Sequence, residues 1–110
     1  LQFCQPANCG DHPLIFRFLR SAAQSPTEAE FEHTQDRIDY TPQQRLLIRD
    51  RGSIVAHVRM VERELRFESS TLRSIDLTEL ATFSGPSQSL YRRLLVSAAR
   101  KRAMEKGICL

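Results

Sequence analysis

"ELATFSGPSQSLYRRLLVSAARKRAMEKG" runs from Glu79 to Gly107. Its left end reads as a strand. Leu90, Leu94, Leu95, Ala98 and Ala99 then recur at helical spacing and predict an amphipathic helix from about Gln88 to Lys106. Gly107 closes that helix, and Ile108 opens "ICL", a short apolar run that reads as a buried strand. Strand, polar turn, helix and strand in this order make a β-α-β unit, whose two strands lie parallel with a right-handed crossover.

Working back toward the N-terminus, "SIVAHVRMV" alternates. Ile54, Ala56, Val58 and Met60 are expected on one face, and Val55, His57, Arg59 and Val61 on the other. "QRLLIRD" reads as the strand before it, with "RDRG" as the turn. "RELRFE" and "TLRSIDL" flank Ser69-Ser70 as a second hairpin, and "TELATF" continues the strand. Further upstream lie two helices. Asp11 caps the first, Pro13 sits in its first turn, and Ile15, Phe18, Leu19, Ala22 and Ala23 form its apolar face. "SPTE" starts the second, with Ser25 as cap and Glu28 completing a capping box; the helix is acidic, thinly apolar and expected on the surface, and Tyr40-Thr41-Pro42 breaks it. "LQFCQPA" opens the chain as a strand, with Leu1 and Phe3 on one side. The element order is β, α, α, antiparallel β, α, β, an α/β fold. The expectation is one domain over residues 1–110, incomplete at its C-terminus.

Composition sets bounds on function. The chain has 110 residues, 41% hydrophobic and 26% charged, which are ordinary globular values for a domain with a modest core. A net charge of +3 is too small to argue for nucleic acid. The charge concentrates on the last helix, in Arg92, Arg93, Arg100, Lys101, Arg102 and Lys106, but these scatter around it and lack aromatic neighbours for base stacking. Three cysteines, Cys4, Cys9 and Cys109, argue against a disulfide framework and for a reducing, cytoplasmic compartment. Cys4, Cys9 and His12 match no common zinc spacing, so no metal is expected. No apolar run reaches membrane length.

Together these segments resemble the GNAT N-acetyltransferase superfamily over nearly the whole chain. "GSIVAHVRM" is similar to its central strand, "ELATF" to the strand before its cofactor loop, and "LYRRLLVSAARKRAMEKGI" to its long helix. The match rests on element order and helix composition more than on invariant residues. It implies an acyl-CoA N-acyltransferase-like mixed sheet, mostly antiparallel with one parallel crossover. It also implies acetyl-CoA as co-substrate and a small-molecule or peptide amine as acceptor, gripped by the first two helices and the "RELRFESS" region. If the last hairpin of such a sheet is missing, an exposed sheet edge is left, through which a homodimer can form.

The family's phosphate loop, Gln/Arg-x-x-Gly-x-Gly/Ala, corresponds to "PSQSLY". Pro86, Ser89 and Tyr91 stand at its three signature positions, and all depart from it. Backbone N–H groups of Gln88, Ser89, Leu90 and Tyr91 are the implied pyrophosphate donors, with Arg92 adding charge. The Tyr91 ring would fill cofactor space unless it turns away. The same residues also read as a plain helix start with Ser87 or Ser89 as N-cap. By resemblance, Leu80, Ala81 and Thr82 meet pantetheine and the thioester. Acyl transfer by direct attack needs an amine freed of its proton. Glu79 is the first candidate base and His57 the second, each equally readable as an ordinary strand residue. The alternative function is an acetyltransferase-fold module that has lost CoA binding and serves in protein interaction.

Overall fold

A computed structural model describes residues 4–24 and 26–108. Among these residues four antiparallel strands lie in sequence order: β1 (Cys4–Pro6), β2 (Arg45–Asp50), β3 (Ser53–Phe67) and β4 (Ser70–Thr82). Helices α1 (His12–Ala23) and α2 (Glu28–Gln35) cover one face, and α3 (Gln88–Glu105) covers the other. Of the strand expected at "ICL" only Ile108 is described, buried in the cluster under α3 and outside any strand; Cys109 and Leu110, the strand positions of Leu1 and Phe3, and Ser25 lie outside the described residues.

The β2–β3 turn is Arg51-Gly52, with φ of 53° and 82°. Two-residue hairpin loops favour positive φ at both positions because this matches strand twist, and glycine takes it without penalty. Arg51 takes it at a cost of about 1 kcal/mol. The second hairpin turns at Glu68-Ser69, one residue earlier than the sequence reading, because Phe67 already pairs with Ser70.

Two bulges alter the expected alternation. Ile48 pairs with Ala56 but Arg49 with Ile54, leaving Val55 as an extra residue on β3. Ile54 therefore packs with the α1 side, whereas Ala56, Val58 and Met60 pack under α3. This corrects the single face expected from period two. On β4, Arg59 pairs with Thr78 and His57 with Ala81, so one residue is extra there as well.

The helices also differ in detail. The α2 cap is Thr27: its hydroxyl accepts from Glu30 N–H at 3.2 Å, and the Glu30 carboxylate accepts from Thr27 N–H at 3.1 Å. The capping box thus sits two residues beyond the one expected at Glu28. Asp11 occupies the cap position of α1 without capping it; its carboxylate accepts from Asn8 N–H and pairs with Arg49 instead. Ala22 and Ala23 are exposed. On α3 the buried stripe is Tyr91, Leu95, Ala99 and Ala103, and Leu90 is exposed.

Candidate active site

The β4 bulge organises the chemistry. Glu79 sits there with φ of 54°, a left-handed value uncommon for a side-chain-bearing residue. Buried groups brace it. His57 Nδ1 lies 2.9 Å from the Glu79 carbonyl, so that nitrogen carries the proton and donates. The other ring nitrogen, Nε2, then accepts from Arg45 Nη1 at 3.1 Å. The same Nη1 donates its second proton to Glu79 Oε2 at 2.8 Å. One guanidinium nitrogen therefore ties the imidazole to the carboxylate, and the imidazole ties back to that residue's backbone.

Arg45 is fully buried, an expensive place for a charge unless it is paired. Its guanidinium lies 4.7 Å from the Phe31 ring centroid, and its Nε donates to the Tyr40 hydroxyl at 2.9 Å. That hydroxyl lies 2.6 Å from His12 Nε2 and donates to it. The chain of contacts therefore runs His12, Tyr40, Arg45, then His57 and Glu79. Sequence reading found His57 and Glu79 but missed Arg45 and Tyr40.

His57 is corrected as a candidate base. It is completely buried, both ring nitrogens are engaged, and burial together with the Arg45 charge pushes its pKa down to about 3. It has no route to a substrate and serves to hold the bulge. Glu79 keeps a fifth of its side chain exposed, and only Oε2 is committed among the described residues, leaving Oε1 as an acceptor.

Beyond the bulge, Leu80 is exposed whereas Ala81 and Thr82 are buried. Ala81 packs on the α1 side. Thr82 pairs with Ala56, and its buried hydroxyl has no hydrogen-bond partner among the described residues. Among those residues β4 is an edge strand, so its outward backbone groups stand open there.

At the α3 entrance two of the four expected donors are already engaged. Gln88 N–H donates to Gly85 C=O at 3.2 Å, and Tyr91 N–H donates to Ser87 C=O at 3.0 Å. This removes Gln88 and Tyr91 from the donor set. The N–H groups of Ser89 and Leu90 find no backbone acceptor among the described residues, and Arg92 is exposed one turn on. The Ser87 side chain does not cap the helix. Tyr91 is 7% exposed and packs in the core cluster that includes Ala56 and Leu95, and it also lines a cavity of about 390 Å³ at the helix mouth with Val55, Phe83 and residues 84–87.

On the other face a groove of about 590 Å³ opens between α1 and α2, with His12, Phe16, Arg17, Arg20 and Phe31 in its walls. Among the described residues no three His, Cys, Asp or Glu side chains converge on one point, and no helix is long and apolar enough to cross a membrane.

No family model matches the chain, and no curated protein matches it. Solved structures do. A protein from Enterococcus faecalis V583, described as a probable N-acyltransferase, superposes with a TM-score of 0.81 at 10% identity, over 98% of this chain and 27% of its own. A transcriptional regulator from Bacillus halodurans C-125 gives 0.64 at 17% identity, over 98% and 77%. N-acetylglutamate synthase from Neisseria gonorrhoeae, solved with coenzyme A and N-acetyl-glutamate, gives 0.59 at 16% identity, over 98% and 24%. The chain thus spans about a quarter of the length of the two enzyme-like neighbours. It has the GNAT N-acyltransferase fold.

Proposed function

We propose that the chain forms the coenzyme A-binding part of an N-acetyltransferase, which moves an acetyl group from acetyl-CoA to an amine by direct attack on the thioester. The observation carrying this reading is the free N–H pair of Ser89 and Leu90, at the positive end of an 18-residue helix that directly follows an open strand edge. Unpaired N–H groups and a helix dipole attract phosphate, and Arg92 adds charge beside them. The likeness in fold to N-acyltransferases supports placing pantetheine along Leu80–Thr82. There the outward backbone of β4 can hydrogen-bond the pantetheine amides, and a backbone N–H can steady the thioester oxygen as charge develops on it. Glu79, with Oε1 uncommitted, accepts the proton of the acceptor ammonium directly or through a water, and Arg45 holds the carboxylate in place. The groove between α1 and α2 is the proposed berth for the acceptor.

A second reading has its own support. Gln88 and Tyr91 have spent their N–H groups internally, and the loop lacks the glycines that let phosphate approach backbone closely. A module that keeps the fold without CoA would look like this. Calorimetric titration with acetyl-CoA separates the two readings. Saturable binding with Kd below about 1 mM, in the range of ordinary enzyme substrates, supports the enzyme reading. No heat and no protection of Ser89 and Leu90 amides against hydrogen exchange would favour the non-catalytic one.

A further inference from the structure

We propose that the outer half of the β3–β4 hairpin is a self-association surface, on which β3 pairs antiparallel with β3 of a second copy across a two-fold axis at Leu65. The hairpin runs well past the sheet. β2 begins at Arg45, opposite Arg59, so pairs from Val61–Asp76 to Phe67–Ser70 have no third strand among the described residues. A two-stranded ribbon is marginal alone in water. This one also exposes three large apolar side chains, Leu65, Phe67 and Leu72, at 47%, 63% and 51%. Leu65 and Leu72 are direct cross-strand partners, and alternation puts Phe67 on the same face.

The backbone restricts how a strand can be added. A two-residue loop makes Phe67–Ser70 the closing hydrogen-bonded pair. Counting back in steps of two, Leu65 and Arg63 also bond to β4. The backbone groups of Glu62, Glu64 and Arg66 therefore face the free edge, and a second copy must oppose these three to one another. An axis at Glu64 sets two carboxylates opposite. An axis at Arg63 brings Glu62 against Glu64, and an axis at Arg66 sets two guanidinium groups opposite. Only the axis at Leu65 places Glu64 against Arg66 of the second copy, twice by symmetry.

That register satisfies both faces. On one, Leu72, Leu65 and their symmetry mates form a continuous apolar row across four strands. On the other, Glu64 lies between its own cross-strand partner Arg73 and the second copy's Arg66. The remaining contacts are Arg63 of one copy beside Phe67 of the other and, on the charged face, Glu68 beside Glu62. Glu62 is already compensated by Lys106 at 2.6 Å and Arg73 at 3.1 Å. A cavity of about 300 Å³ lined by Glu62, Arg102 and Lys106 opens at that point, and Arg102 makes no ion pair among the described residues, so it can meet the incoming Glu68. The free edge of β4 offers no equivalent match, since its outer residues Ser70–Asp76 hold one arginine and one aspartate. Mixed charges on the β3 edge thus repel unrelated strands while matching a second copy.

The 110-residue chain should sediment as a concentration-dependent dimer. Glu64→Arg and Arg66→Glu should each weaken association about tenfold, since two cross-strand charge pairs turn repulsive, and the double swap should restore it to within about twofold. Leu65→Cys should cross-link across the axis under mild oxidation, because non-hydrogen-bonded partners bring Cα atoms within disulfide reach. Glu64→Cys should not cross-link, and the unaltered chain controls for native cysteines. All these side chains are exposed, so thermal melts should match the parent. A monomer at about 100 μM, single swaps without effect, or a double swap that weakens association further would overturn the proposal.

Discussion

Tyr91→Ala is the perturbation that most directly tests the placement of the helix mouth. The ring is 7% exposed and shares a cluster with Leu46, Ile48, Ala56 and Leu95. Truncating a buried aromatic side chain to alanine removes its transfer free energy and leaves a cavity, together about 3–5 kcal/mol. For a domain of this size each kcal/mol moves Tm by about 4–8 °C, so a fall of roughly 15–30 °C is expected. Urea unfolding followed by circular dichroism gives the free energy and thermal melts give Tm; Tyr91→Phe is the control that keeps the ring. Acetyl-CoA affinity, measured well below the lowered Tm, should stay within about twofold of the parent, because the ring packs in the core cluster and leaves the cavity at the helix mouth open. A loss under 1 kcal/mol would refute the inward placement. So would a gain in CoA affinity, which would mean that the ring occupies the cradle.

Ser89→Asp should separate helix stability from phosphate binding: a carboxylate in the first turn adds about 0.5 kcal/mol through the dipole, yet acetyl-CoA affinity should fall at least about tenfold in calorimetry. If affinity is unchanged, pyrophosphate does not sit there. Arg45→Met should cost about 3 kcal/mol by denaturant unfolding, because it strands the Glu79 carboxylate and the His57 acceptor; a neutral outcome would mean that the brace contributes nothing. Acid should destabilise the fold through His57. Its folded pKa of about 3 lies below the ordinary 6.5, so between those values the unfolded chain binds a proton that the folded chain does not, and stability falls as pH falls. His57→Gln keeps a donor and an acceptor, so it should reduce the slope of stability against pH by about 1.4 kcal/mol per unit between pH 4 and 6; an unchanged slope would place the proton uptake elsewhere.

Local pattern carried much of the fold. The α3 limits, the Arg51-Gly52 turn and the β2–β3 pair followed from periodicity and turn chemistry. Errors arose where one residue shifts a period. The bulge at Val55 moves Ile54 to the opposite face, and nothing in "SIVAH" announces it. The sequence leaves the Tyr91 ring open between cofactor space and the core because it stands at a signature glycine position, although its spacing to Leu95 and Ala99 already places it on the core stripe. Within the candidate site the strand and helix positions were legible, but the brace was not. Arg45 opens "RLLIRD", where a charge reads as the outer end of a strand. Its burial depends on Glu79, 34 residues away, and on aromatic rings from α2 and the following loop. Long-range electrostatic compensation of this kind leaves no local mark.

The extra residue in β4 also bears on inheritance. The ladder is regular on both sides of Glu79, so a chain lacking that residue would close without a register slip anywhere. It would lose a carboxylate, though, and Arg45 would be marooned in the interior. An ancestor could therefore have gained or shed the bulge only together with the arginine. Among proteins of this fold that carry a counterpart of β2, the basic residue at its start and the odd residue opposite should appear and vanish as a pair, and lineages with one alone should be rare and unstable.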